Sequence, residues 1–264
     1  MKEVKIIFIG DIVGRAGRKA LAQVLPLWIK KYSPDFVVAN GENASHGIGI
    51  TSKAVEELKT AGVMAITTGN HIWSRKEDTG VLTNSVMPVL RPANFPEPCP
   101  GVGVMVVENN GLFLTVANLQ GRVSMPQAVD DPFRALQKIM AEKKSALVLV
   151  DFHAETTSEK MALGWLGASL GVTAIVGTHT HIPTNDARIL ENKTAYITDV
   201  GMTGPLNSVL GVDKKIIMEK FLTSRPLAHE IIESGPTEVA AILITATDDG
   251  VAQNIQILNE TVEI

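Results

Sequence analysis

AIVGTHTH, residues 174–181, is a short β-branched run that ends in two histidines one residue apart. A strand sends alternate side chains to opposite faces, so His179 and His181 share one face and Thr180 points away. Two neutral imidazoles gain little from each other there and suit a third partner that both can hold. The stretch decides the fold because its design recurs. Val4–Ile9 leads to Gly10-Asp11, Phe36–Ala39 to Asn40-Gly41-Glu42-Asn43, and Met64–Thr67 to Thr68-Gly69-Asn70-His71. Ala146–Val150 leads to Asp151-Phe152-His153. Runs of about 4–8 apolar residues bounded by Gly and polar residues read as buried strands.

Helical stretches lie between these runs. Arg15–Lys31 puts Leu21, Val24, Leu25 and Trp28 on one face, with Pro26 expected to kink or shorten it. Thr51–Ala61 starts on a capping residue, Pro132–Lys144 carries proline just inside its start behind Asp131, and Thr157–Leu170 is a further helix. Three hairpins are expected: at Asn109-Asn110-Gly111, at Glu191-Asn192-Lys193 and at Asp248-Asp249-Gly250. The Pro-rich stretch 88–100 reads as a long ordered loop. The expectation is one α/β domain over residues 1–264, with two mixed sheets and helices outside.

The 264 residues are 45% hydrophobic, with 24 basic against 28 acidic side chains and no basic run. Sequence-blind clamping of a nucleic-acid backbone is therefore not the expected role, although nucleic acid as a substrate is not excluded. Cys99 is the only cysteine, so no intramolecular disulfide can form. The apolar part of MKEVKIIFIGD is too short for a signal peptide, and no run approaches the ~20 apolar residues that span a bilayer. A soluble cytoplasmic protein without a membrane partner is expected, and a homo-oligomer, as is common for compact enzymes.

Asp11, Glu42, Asn43, Asn70, His71, His153, His179 and His181 each follow an apolar run within a few residues. Ligands of α/β sheets bind beyond the carboxyl ends of strands, and five strands of one sheet would gather these side chains. Any one of them alone is an ordinary turn, cap or partly buried residue. Jointly they form an oxygen and nitrogen set without thiolate, suited to Mn, Fe, Zn or a similar ion. Leaving His71 aside, the other seven exceed one open catalytic site, and two ions sharing a carboxylate account for the surplus. Metals ~3.5–4 Å apart suit phosphoester hydrolysis.

At this point the chain resembles the calcineurin-like metallophosphoesterases. Their motif order appears as GD at 10–11, NGEN at 40–43, GNH at 69–71, DFHAE at 151–155 and GTHTH at 177–181. Ile12-Val13 stands where the first motif carries histidine, and Glu42 with Asn43 replaces the usual aspartate. Those departures are similar to one branch, the YmdB-like phosphoesterases, as are GDIVGRAGR, RPANFP and TDVGMTGP. The resemblance implies a four-layer α-β-β-α sandwich of two mixed sheets. It implies one metal on Asp11, Glu42, Asn43 and His181 and a second on Glu42, Asn70, His153 and His179. Iron or manganese would fill the pair, or zinc. His71 would stay free of metal as the general acid, with attack on phosphorus by a metal-bridging hydroxide. It further implies a cyclic-nucleotide phosphodiesterase, with 2′,3′-cyclic nucleotides favoured over 3′,5′-cyclic AMP.

Rival readings make different demands. Gly10, Gly14 and Gly17 imitate a dinucleotide loop, but the spacing is wrong and Asp11 would face the pyrophosphate. A regulatory or scaffold protein with slow turnover, or a phosphodiesterase acting on nucleic acid, would keep the same site. His46 reads as an exposed loop residue, Arg91 and Asn94 as loop anchors, and His229 as structural or exposed. Trp28, Trp73 and Trp165 read as packing residues. Substrate contacts beyond the metals are not legible.

Overall fold

The first strand shows how the layers form. In β1 (Glu3–Ile9), Val4, Ile6 and Phe8 enter one apolar cluster while Ile7 and Ile9 enter another. A strand apolar on both faces must be covered on both. The molecule is a computed structural model describing residues 1–75, 80–84 and 87–264. After β1 come β2 (Asp11–Ile12), α1 (Gly14–Tyr32), β3 (Phe36–Asn40), α2 (Ser52–Ala61), β4 (Ala65–Thr67) and α3 (Gly80–Thr83). The middle holds β5 (Val104–Asn109), β6 (Leu112–Gln120), α4 (Pro132–Glu142), β7 (Leu147–His153), α5 (Thr157–Leu170) and β8 (Ala174–Thr178). β9 (Arg188–Leu190), β10 (Thr194–Ile197), β11 (Met202–Pro205), α6 (Lys214–Thr223), β12 (Pro236–Thr247) and β13 (Ala252–Glu263) follow.

Two mixed sheets result. The first runs β2-β11-β12-β1-β3-β4, with β13 on the other edge of β12. The second runs β5-β6-β7-β8-β10-β9. Ile6, Phe8 and Val38 of the first meet Leu114, Val116, Leu149 and Val176 of the second in the inter-sheet core. Leu21, Val24, Leu25 and Trp28 of α1, with Val55 and Leu58 of α2, cover the outer face of the first sheet. Leu136 and Ile139 of α4 and Leu163 and Ala168 of α5 cover the second. The order is α-β-β-α, as the resemblance implies.

Local expectations fare well where chemistry is local. Thr51 accepts from the Ala54 N–H and Asp131 from those of Phe133 and Arg134, capping α2 and α4. All three expected hairpins are present, as β5–β6, β9–β10 and β12–β13. The loop at 88–100 is pinned by Asn94, which donates to Gln120 O and Asp130 O at 2.8 Å each. Pro26 does not shorten α1, which runs through it with the ring on the exposed side.

Two expectations are corrected. The five site-bearing runs do not share a sheet: β1, β3 and β4 belong to the first and β7 and β8 to the second. Each run is apolar on both faces, which fixes burial but not the partner strand. Trp165 is not a packing residue, being 48% exposed, whereas Trp28 is buried and Trp73 meets Phe95 edge-on at 5.9 Å. Among the described residues no helix is long and apolar enough to cross a membrane.

Candidate metal centre

Each expected site residue sits at the carboxyl end of a strand. Asp11 opens β2, just past β1. Glu42 and Asn43 lie in the turn after β3, Asn70 and His71 in the turn after β4. His153 ends β7, and His179 and His181 follow β8. The two sheets bring these ends face to face. The backbone N–H of His179 donates to Asp11 Oδ2 at 3.1 Å across 168 residues of chain.

His153 Nε2 is the point of convergence. Glu42 Oε1 and Asn70 Oδ1 lie 3.0 Å from it, and His179 Nδ1 3.1 Å. One ring proton cannot serve three such neighbours, whereas one cation can. The ligating atoms of Glu42, His153 and His179 all lie within 4.8 Å of one another. A second pair stands alongside, with Asn43 Oδ1 3.4 Å from His181 Nε2 and its amide nitrogen turned away to Gly47 O at 2.9 Å. Asp11 Oδ1 is buried without a hydrogen bond, with His153 Nδ1 3.9 Å away. The His71 N–H donates to Glu42 Oε2 at 3.1 Å, and its side chain is half-buried. Gly69 leaves no room to spare: a Cβ there would lie 2.2 Å from His153 Cδ2 and 2.4 Å from Glu42 Oε2.

The electrostatics match this geometry. Asp11, Glu42, Asp151 and Asp199 are all buried, while Lys160 is the buried ammonium among the described residues. Burial, then Asp199, Glu42 and Asp151, push the Asp11 carboxyl up to about 8 against the pull of His153. Burial would also raise Glu42, but His153 and His71 outweigh it and hold Glu42 down at about 2. His153 answers in kind: burial disfavours its charged form, yet Glu42, Asp11 and Asp151 raise it to about 9. Burial and the His153 charge lower His179 to about 3, and burial lowers His181. Protons on Asp11 and His153 offset negative charge that a cation would offset better. The donor set therefore fits metal ions.

Several residues supporting the site were missed in the sequence. Thr178 Oγ1 lies 2.9 Å from His153 Nδ1 and donates to Asp151 Oδ1 at 2.7 Å. Asp151 is held in turn by the Thr67 hydroxyl and by Asn40 Nδ2 at 2.9 Å. Glu155 Oε2 sits 3.1 Å from His179 Nε2, and Gln127 Nε2 donates to Asn70 O at 2.8 Å. Such partners fix ring orientation at metal sites. Asp151 and Glu155 stand inside the DFHAE motif, which could have flagged them, whereas Thr178 carries no signal of its own. His46 and His229 are exposed, and Arg91 is a buried loop anchor bonded to Pro92 O. The first amide of α1, Gly14 N–H, is taken by Asn43 O at 2.9 Å.

The chain as a whole is similar to known proteins. A 2′,3′-cyclic-nucleotide 2′-phosphodiesterase of Bacillus subtilis (strain 168) is 46% identical over 247 residues, 93% of this chain and 92% of that protein. A solved structure described as a novel phosphatase from Mycoplasma pneumoniae has TM-score 0.92 at 34% identity, covering 100% of this chain and 95% of that one. Haemophilus influenzae NAD nucleotidase shares the fold at TM-score 0.58 and 12% identity, over 99% of this chain and 56% of that one. Residues 7–258 match the family described as YmdB-like protein. With most of both sheets and every residue of the centre inside that match, the chain belongs to the YmdB-like protein family.

Proposed function

We propose that this chain is a metal-dependent phosphodiesterase acting on cyclic nucleotides, with 2′,3′-cyclic nucleotides favoured and 3′,5′-cyclic AMP second. The observation that carries the reading is the convergence of seven oxygen and nitrogen donors, Asp11, Glu42, Asn43, Asn70, His153, His179 and His181, between two sheets. The named activity of the Bacillus subtilis relative supplies the substrate class. On this reading one ion would be held by Asp11, Glu42, Asn43 and His181, and the other by Glu42, Asn70, His153 and His179. Iron or manganese suits the mixed donors, as does zinc. Such a pair, when bound, supplies a water acidic enough to attack phosphorus near neutral pH and positive charge for the phosphoryl oxygens.

The protein's own groups do the rest. Glu42 carries the charge shared between the two ion positions. Asp151, through Thr178, turns the His153 ring so that Nε2 faces inward. His71, its backbone tied to Glu42, gives a proton to the ribose oxygen that leaves as the phosphorus–oxygen bond breaks. Elemental analysis of purified protein, paired with a panel of cyclic nucleotides, linear diesters and monoesters, tests the reading. Two metal equivalents per chain and fastest turnover on 2′,3′-cyclic nucleotides are expected. Metal-loaded protein that turns over none of the panel would overturn it.

A further inference from the structure

Behind the candidate centre lies an ion pair that the reading above does not use. Lys160 of α5 and Asp199, after β10, are each 1% exposed, and Lys160 Nζ sits 2.6 Å from Asp199 Oδ2. A buried pair is a poor stabiliser, because desolvation cancels most of the attraction and apolar replacements are commonly as stable. Its surroundings indicate another role. Asp199 Oδ2 also accepts from the backbone N–H of Thr180 at 3.2 Å and from the Thr180 hydroxyl at 2.8 Å. Oδ1 accepts from the Gly201 N–H at 2.9 Å. Four donors meet one carboxylate.

Thr180 is the centre of a strained turn. His179 has φ 97° and His181 φ 65°, so two non-glycine residues flanking Thr180 are left-handed. Such a conformation is strained for a residue with a side chain and persists only where its surroundings impose it. His179-Thr180-His181 contains neither Gly nor Asn, the residues that enter the left-handed region most readily. Yet the turn is what sends His179 Nδ1 to His153 and His181 Nε2 to Asn43. The His179 N–H to Asp11 and the Met202 N–H to His181 O fasten its two ends, and Asp199 fastens its middle. The packing makes room for this contact. A Cβ at Gly177 would lie 1.7 Å from Thr198 O, which requires glycine there, and 3.2 Å from Lys160 Cδ, so the lysine stem also passes close by.

We propose that Lys160 and Asp199 are positioning residues, a buried clasp on Thr180 that holds the His179–His181 turn in its left-handed form and thereby sets both imidazoles for metal. The inference rests on the metal-site reading only in taking His179 and His181 as ligands. Asp199 supplies acceptors alone, which four donors require. Lys160 supplies the compensating charge that lets a carboxylate sit there. An amide at 199 would turn its NH2 towards one of those donors whichever way it was flipped.

The test uses the full-length protein. Asp199→Asn alone strands the Lys160 charge and invites misfolding, so Lys160→Met/Asp199→Asn removes both charges together. Thr180→Val removes one grip and leaves the pair intact, and Thr180→Ser restores the hydroxyl. Titration of stripped protein with Mn2+ should show 10–100-fold weaker binding in Thr180→Val and in the double variant, the range seen for outer partners of metal ligands. Thr180→Ser should stay within about threefold of wild type. Crystal structures of the metal-free Thr180→Val and double variants should show His179 or His181 relaxed to negative φ, a readout that needs no metal. Folded variants with unchanged Mn2+ affinity, or with the turn still left-handed, would overturn the clasp. Failure of wild-type protein to bind Mn2+ would instead count against the metal-site reading, while the turn geometry still decided the clasp.

Discussion

Glu42 Oε1 faces His153 at 3.0 Å while Oε2 takes the His71 N–H, so one carboxylate ties the imidazole and amide sides together. Glu42→Gln keeps the size and removes the charge. Metal occupancy and turnover should both collapse, read by elemental analysis and hydrolysis assays. His71→Ala should retain both ions and slow turnover by ~10²–10⁴-fold, the usual worth of an acid catalyst. Equal metal loss in the two variants would show that His71 is a ligand and not the acid. Asp11, Glu42, Asn70 and the histidines were legible because each follows an apolar run directly. Lys160, Asp199 and Thr178 were not, because they act through other side chains. A lysine on a helix beside Glu159 looks like an ordinary solvated charge, and a threonine ending a strand looks like packing.

Elements with a local cause were read from sequence, and those with a tertiary cause were not. α2 and α4 announce themselves through caps, and the hairpins through their Asn, Asp and Gly turns. β2 and β11 are short strands paired with each other, through Met202 to Asp11 and Thr203 to Ile12, and no local pattern marks either. α6 exposes Met218, Phe221 and Leu222, so it lacks the clean apolar face by which a helix is recognised. Pro26 offers a test at this scale. It is exposed inside α1, where proline costs ~3 kcal/mol of helix propensity, while its restriction of the unfolded chain returns only ~0.4–1 kcal/mol. Pro26→Ala should therefore raise stability by about 2 kcal/mol in urea unfolding. An unchanged or lower midpoint would mean that the surrounding helix already absorbs the proline without cost.

For the whole molecule, the buried charges make stability depend on pH and metal together. His153, raised to about 9, contributes stability that is complete below its unfolded value of 6.5 and lost as pH climbs through 9. Asp11, raised to about 8, adds a growing penalty from pH 3.8 to about 8, because the unfolded carboxyl ionises there while the buried one still holds its proton. Both act in the same direction from pH 6.5 to about 8, and His153 alone carries the loss on to about 9. Metal-free protein should lose thermal stability across that window, and Mn2+ affinity should rise across it as bound protons are displaced. A metal-free melting temperature that stays level from pH 6.5 to 9 would contradict the charge assignment. The two-sheet origin of the centre has one more consequence. Asp11, Glu42, Asn43 and Asn70 come from the first sheet and offer oxygen, whereas His153, His179 and His181 come from the second and offer nitrogen. Neither half is a chelator of the kind proposed, so on that proposal the choice of ion would belong to the seam between them, and a slip of one slab over the other would release the whole cargo at once.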